Sequence, residues 1–353
     1  MTRSLLIALL SIALSSCAAP STRPTVGTSE AVVKEREVQL AVALRRQHAL
    51  DRRANDVAWP LLAAAADFCG AKRAPRFGFN WTTVGDFSDA YRQAATEAFG
   101  ASTIPTVVLV VAASPAATAG LREGDRILAV DGQAAPQGEK ASVEIRKLLS
   151  ARGANPLRLR VGRGDQTLDV QIAPALVCGF ATQVIGQDVI NAYADGKVVY
   201  LTRGMMRFAQ SDEELAVVIA HEIAHNAMGH IEAKTKNASW GMLFDLVAAG
   251  YGVNTQGQFS QIAAMSFSKD FELEADYVGE YILARAGRRF AEAAALWRAM
   301  GAEAPASIRG SASATHPSSP ERFVALDNAA REIEAKLASG APLVPETKSP
   351  ARR

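Results

Sequence analysis

His221-Glu222-Ile223-Ala224-His225 follows the apolar run Leu215 to Ala220, which contains no Gly or Pro, so the five residues sit inside a helix. Ser211 followed three residues later by Glu214 has the spacing of a capping box and marks where that helix begins. At about 3.6 residues per turn, His221 and His225 project to nearly the same side, where two imidazoles can share one tetrahedral zinc. Glu222 falls beside them, towards the open position of the metal. Zinc there would polarise a carbonyl and bring the pKa of water towards about 7, with the neighbouring carboxylate as general base. The motif thus implies a hydrolytic site with His221 and His225 as ligands, Glu222 as base and one Zn2+ per chain.

A third ligand must come from elsewhere. His230 lies nine residues after His221, about half a turn around a straight helix, and would face away from the metal. Met228 and Ile231 also break the HExxHxxGxxH pattern. His230 is therefore read as a packing or supporting residue near the helix end. The segment Ser268-Lys269-Asp270-Phe271-Glu272-Leu273-Glu274-Ala275-Asp276 offers carboxylates instead, and Glu272 and Asp276, at i and i+4, would share one helix face. A glutamate would complete a His/His/Glu site, and a carboxylate one turn later can orient a ligating histidine. Spacing alone leaves Asp270, Glu272 and Glu274 open as the ligand.

Taken with Thr315-His316-Pro317, Glu321-Arg322 and Asn191-Ala192 with Gly196, these motifs resemble the CAAX-prenyl-protease-like (HtpX-like) zinc metalloendopeptidases over about residues 181 to 335. The resemblance implies that Glu272 is the third ligand, that Asp276 supports a ligand, and that residues 191 to 196 form a strand edging the site. It also implies that His316 lies over the cleft, as a candidate for transition-state stabilisation or metal gating, with Arg322 a neighbour. The membrane-embedded members have spanning helices; here Trp240 to Tyr251 is short and interrupted by Asp245, and reads as a core or lid helix.

Upstream, Val107 to Val111 is β-branched and bounded by turn formers, and reads as a strand. Ser114-Pro115-Ala116-Ala117, Ala119-Gly120-Leu121, Gly124-Asp125-Arg126-Ile127 and Val130-Asp131-Gly132 follow it and resemble the core signature of bacterial PDZ domains. A helix is expected over Ser142 to Ser150, and strands over Leu157 to Val161 and Thr167 to Ile172. The resemblance implies capture of an extended peptide along a sheet edge. Phe77-Gly78-Phe79 is the nearby match to a carboxylate-binding loop, with packing of the two phenylalanines as the competing reading. Residues 80 to 100 fit either an insertion or the helical segment before it. That segment, Glu30 to about Phe68, carries Val33, Leu40, Leu44 and Leu50 among charges and reads as amphipathic helix.

The N-terminus has Arg3, an apolar run from Leu5 to Leu14 and small residues, the build of a secretory signal. Leu14-Ser15-Ser16-Cys17 resembles a lipobox, which implies that Cys17 is lipidated and holds the protein at a membrane facing the periplasm. Ala18 after it favours the outer membrane. Of the three cysteines, Cys69 and Cys178 remain, an even number in an oxidising compartment, and a disulfide between them is expected. A net charge of +2 gives no electrostatic case for nucleic acid; polypeptides and, through the anchor, a membrane are the expected partners.

The expected fold is α+β, with a mainly helical zincin-type domain preceded by a PDZ-like β-rich domain and an N-terminal helical segment. Its expected organisation is a signal over 1–17, a tether over 18–29, a helical region over 30–100, the PDZ-like domain over 101–176, the metallopeptidase domain over 181–340 and a disordered tail over 341–353. The function expected is a zinc endopeptidase for envelope protein quality control, with a chaperone or scaffold of suppressed proteolysis as the competing reading.

Overall fold

The computed structural model describes residues 27–250, 268–303 and 319–347, with Thr22 and Thr25. Cys17, most of the tether and His316 lie outside the described residues. The N-terminal half contains α1 (Ser29–Ala64), β1 (Arg73–Arg76), β2 (Phe79–Thr82), α2 (Asp89–Phe99), β3 (Thr106–Val110), α3 (Pro115–Thr118), β4 (Arg126–Val130), β5 (Gln133–Ala134), α4 (Ala141–Ser150), β6 (Leu157–Arg163) and β7 (Gln166–Ile172). The C-terminal half contains β8 (Ala175–Cys178), β9 (Ala181–Ile185), β10 (Ala192–Ala194), β11 (Val198–Thr202), α5 (Arg203–Phe208), α6 (Asp212–Ala227), α7 (His230–Gly250), α8 (Ser268–Arg285), α9 (Ala293–Glu303) and α10 (Pro320–Ser339). The mixture is α+β, as expected.

The boundaries differ from those read in the sequence. Thr28 caps α1 by accepting a hydrogen bond from the Ala31 N–H at 3.3 Å. The first turns of α1 are exposed, but Ala54, Val57, Ala58, Leu61 and Leu62 are buried in the same apolar core as helix α6. The end of α1 thus belongs to the C-terminal half, not to a separate helical region over 30–100. Strand β2 lies in the six-stranded sheet, ordered β2-β3-β4-β6-β7 with β5 on β4, so the PDZ-like module begins before residue 101. Between them, α2 packs back on α1, where Arg45 reaches Glu97. Residues 80 to 100 therefore divide between the two alternatives.

The β-rich module is inserted into the helical one through a two-stranded stem. Strand β1 leads into it, β8 leads out, and they pair antiparallel with Arg73 opposite Cys178. Cys69 and Cys178 are joined by a disulfide at the foot of the stem, with Cα atoms 5.6 Å apart. Their separation of 109 residues makes the closed loop long, and on a chain-entropy basis such a bridge stabilises by about 4 to 5 kcal/mol. Helix α1 also braces the insertion: Asp56 accepts from the Ala112 N–H at 2.6 Å, Arg52 pairs with Glu123, and Trp59 packs on Leu109 and Val111.

In the C-terminal half, a three-stranded sheet ordered β10-β11-β9 leaves β10 at its edge beside α6. Helices α6 and α8 pack closely because Gly279 of α8 faces the backbone of α6; a Cβ there would come 3.3 Å from the His221 nitrogen. No described helix is long and apolar enough to cross a membrane. Of Trp240 to Tyr251, expected as a core or lid helix, the residues up to Gly250 are helical in α7, Met242, Leu243 and Leu246 are exposed, against a core position, and Tyr251 lies outside the described residues. At the C-terminus, residues 341–347 are docked instead of disordered: Lys336 donates to the Val344 carbonyl at 2.6 Å and pairs with Glu346, whose N–H donates to the Tyr277 hydroxyl at 2.9 Å. Residues 348–353 lie outside the described residues.

Candidate metal centre

Ser211 and Glu214 form the capping box that starts α6, each side chain bonding the other's backbone N–H. Two and a half turns on, His221 and His225 lie one turn apart and are buried. Their Nε2 atoms approach to 3.1 Å, and Glu272 of α8 reaches both, with its oxygens 3.4 Å from each Nε2. Tetrahedral zinc with bonds of about 2.0 to 2.1 Å has ligand atoms about 3.3 Å apart. The three donors therefore match one face of such a site, and all lie within 4.8 Å of one another. Glu222 is buried next to His221. Asp270 is exposed and Glu274 points to a different partner, so helix α8 separates the three acids that spacing had left open.

A second layer fixes the orientation of the first. Asp276 approaches His221 Nδ1 at 2.9 Å, leaving Nε2 to the metal side. Arg322 of α10 grips Asp276 through two bonds of 2.7 and 2.8 Å and lies 3.6 Å from Glu272, with its guanidinium over the Trp297 ring. Asn226, next to His225, accepts from the Gly196 N–H at 2.6 Å and donates to the Val198 carbonyl, tying the β10–β11 hairpin to α6. Neither Asn226 nor Trp297, whose ring centroid is 5.0 Å from that of His221, carried a signal in the sequence, because their partners are remote in the chain.

His230 is not among the converging donors, but the straight-helix reason for excluding it fails. Helix α6 stops at Ala227, and Gly229, at φ +73°, turns the chain so that α7 starts at His230. The buried His230 ring then returns against His225, with the two Nδ1 atoms 2.9 Å apart.

Burial works against a charged His221, but the Asp276 and Glu272 carboxylates outweigh it and raise the imidazole to about 9. Burial likewise pushes Asp276 up, while Arg322 and His221 hold it below the usual carboxylate range. Arg322 is disfavoured by burial and raised by Asp276, Glu272 and Glu222. With His221 and His225 neutral, as metal ligands must be, Glu222, Glu272 and Asp276 against Arg322 leave a net of two negative charges among these buried groups, which a divalent cation would neutralise in place of the proton that His221 otherwise holds. Both the donor spacing and the charge fit such an ion.

Among the described residues, the buried Glu280 has no such compensation. Glu280 lies one turn beyond Asp276, and burial, reinforced by Asp276 and Asp327, pushes its carboxyl from 4.5 to about 9. Its native pKa is raised, so the folded chain retains a proton that the unfolded chain releases, and stability falls as pH rises from about 4.5 to 9. Glu280→Gln is expected to be more stable than the wild type by about 2 to 4 kcal/mol near pH 7.5. Urea unfolding at pH 5 and pH 7.5 checks this, and the gap should close at the lower pH.

A histidine pair one turn apart with a carboxylate from a neighbouring helix as third donor, and a buried glutamate beside them, is the site of the HExxH metallopeptidase class. Comparison with known proteins agrees: residues 171–330 match peptidase family M48, and residues 106–163 match a PDZ domain. The mitochondrial metalloendopeptidase OMA1 of Arabidopsis thaliana is 33% identical over 146 residues, covering 39% of this chain and 29% of that protein. The OMA1 of Schizosaccharomyces pombe is 28% identical over 160 residues, covering 43% and 47%. The chain thus spans less than half of each of these relatives. Among solved structures, the HtrA3 PDZ domain bound to a phage-derived ligand is 25% identical, covering 30% of this chain and 88% of that one, at a TM-score of 0.23. The HtrA-type protease AlgW with a decapeptide is 22% identical, covering 30% of each, at 0.22.

Proposed function

We propose that the chain is a zinc endopeptidase of the periplasmic lipoprotein type within the CAAX-prenyl-protease-like group, acting on envelope polypeptides in quality control. The observation that carries the catalytic part is the convergence of His221, His225 and Glu272 at tetrahedral spacing beside the buried Glu222. Zinc held there would supply Lewis acidity, polarising the scissile carbonyl and making water more acidic. Glu222 takes the water proton and returns it to the leaving amine. Asp276 keeps His221 in the tautomer that presents Nε2, and Arg322 keeps Asp276 ionised. Edge strand β10, tied to α6 by Asn226, offers an extended peptide a backbone to pair with.

Substrate recruitment is assigned to the PDZ module. Strand β2 is an edge of its sheet, which supports pairing with an extended peptide, whereas Phe77 and Phe79 pack together in the module's core, as the competing reading of Phe77-Gly78-Phe79 had it. Cys17 and His316 lie outside the described residues; lipidation of the first, placing the protein at the outer membrane, and a gating or transition-state role for the second rest on their sequence motifs. The test compares zinc content and casein hydrolysis of the wild type and His221→Ala. The wild type is expected to hold one zinc per chain and cleave, and the variant to lose both. A variant that retains zinc and activity would overturn the assignment.

A further inference from the structure

We infer that His230 and Glu274 form a relay that positions His225 for the metal, an inference that rests on the His/His/Glu site proposed above. Both His221 and His225 present Nε2 towards Glu272, so in each ring the metal-side nitrogen is Nε2 and the remaining nitrogen is Nδ1. In His221 that nitrogen meets a carboxylate, Asp276, at 2.9 Å. In His225 it meets another imidazole: His230 Nδ1 lies at 2.9 Å, and His230 Nε2 lies 3.0 Å from a Glu274 oxygen.

Only one assignment of protons satisfies every atom in that chain while leaving the His225 Nε2 lone pair for a metal. His225 Nδ1–H donates to His230 Nδ1, and His230 Nε2–H donates to Glu274. His230 thereby sets the tautomer of His225, and Glu274 sets that of His230. The His230 ring is buried and stacked on Phe271, with centroids 4.7 Å apart and planes at 23°, so it cannot rotate away without breaking packing.

The arrangement depends on the helix break. On a continuous helix, residue 230 would be displaced about 140° around the axis from 225. The turn at Gly229 instead brings it onto the Nδ1 side of the ring. Phe271 and Glu274 flank Glu272 on α8, so one short stretch of that helix supplies both a metal donor and the support for a second. The two histidines are supported unequally. His221 is backed by a buried carboxylate locked by Arg322, and His225 by a neutral ring ending in a Glu274 side chain that is 46% exposed. Of the two supporting carboxylates, Glu274 is thus the one open to its surroundings, and Asp276 is buried.

His230 and Glu274 are thus positioning residues, and the readout is metal affinity, not turnover. Zinc binding by the full chain is measured by competition with a chromogenic chelator, with the cobalt absorption spectrum as a second signature. His230→Phe retains the ring on Phe271 and removes both hydrogen bonds, and is expected to weaken zinc about 10- to 100-fold and alter the cobalt spectrum. His230→Gln, whose amide both accepts and donates, should stay within a few-fold of wild type. Glu274→Ala, at a half-exposed position that folding tolerates, should weaken zinc several-fold and decides the matter should His230→Phe not fold. Wild-type affinity and cobalt spectrum in His230→Phe, or in Glu274→Ala, would overturn the relay. If instead the wild type binds no zinc, or binds it as tightly after His221→Ala, the metal site itself is refuted.

Discussion

Replacing Glu222 with Gln is expected to lower peptide cleavage by about 100- to 10,000-fold while zinc content stays at the wild-type level. Gln matches the shape of Glu but cannot accept a proton near neutral pH, so the substitution removes the base and little else. Glu222 lies on α6 between the two histidines and is buried, in a position where its charge contributes to the field on Arg322. Loss of that charge leaves the three donors His221, His225 and Glu272 in place. The measurement pairs turnover of a quenched fluorescent peptide with zinc content in the same preparation. Cleavage within tenfold of wild type would place the base elsewhere.

Arg322→Leu is expected to destabilise the fold by about 3 to 5 kcal/mol, because it strands the buried Asp276 carboxylate and leaves Glu272 with less compensation. Arg322→Lys should recover only part of this, since an ammonium cannot reproduce the two-pronged contact with Asp276. Urea unfolding of the metal-free chain reads the effect. A double variant that also changes Asp276 to Asn should cost less than the sum of the single changes, because the charge that Arg322 neutralises is then gone. Strictly additive losses would mean that Arg322 acts through its packing on Trp297 instead.

Legibility in the sequence tracks the range of the interactions involved. The HExxH turn and the capping box of Ser211 and Glu214 are set within four residues, and both are legible from residue order alone. Strands β3, β6 and β7 of the β-rich module are also legible, within one or two residues, from β-branched runs and turn formers. Strand β2 is not, because Phe79 to Thr82 is a strand through pairing with Thr106 to Val110, beyond an intervening helix. The role of α1 is hidden in the same way. Its amphipathic pattern announces a helix, but not that Ala54 to Leu62 complete the core beneath α6.

By itself, the sequence determined the local chemistry: two imidazoles and a base on one helical turn, acids at i and i+4 on a second helix, and a cysteine pair suited to a disulfide. Each follows from helical periodicity or from counting. Spacing left open which acid meets the histidines, and the tertiary structure brings Glu272 to them, as the motif resemblance implied; only the tertiary structure decided that Arg322 neutralises the Asp276 behind His221, and that one module is threaded into the other through a stem closed by Cys69 and Cys178. It also decided the place of His230, because a single left-handed residue, Gly229, changes the direction of the chain, and a helical wheel drawn through that point misplaces every residue beyond it.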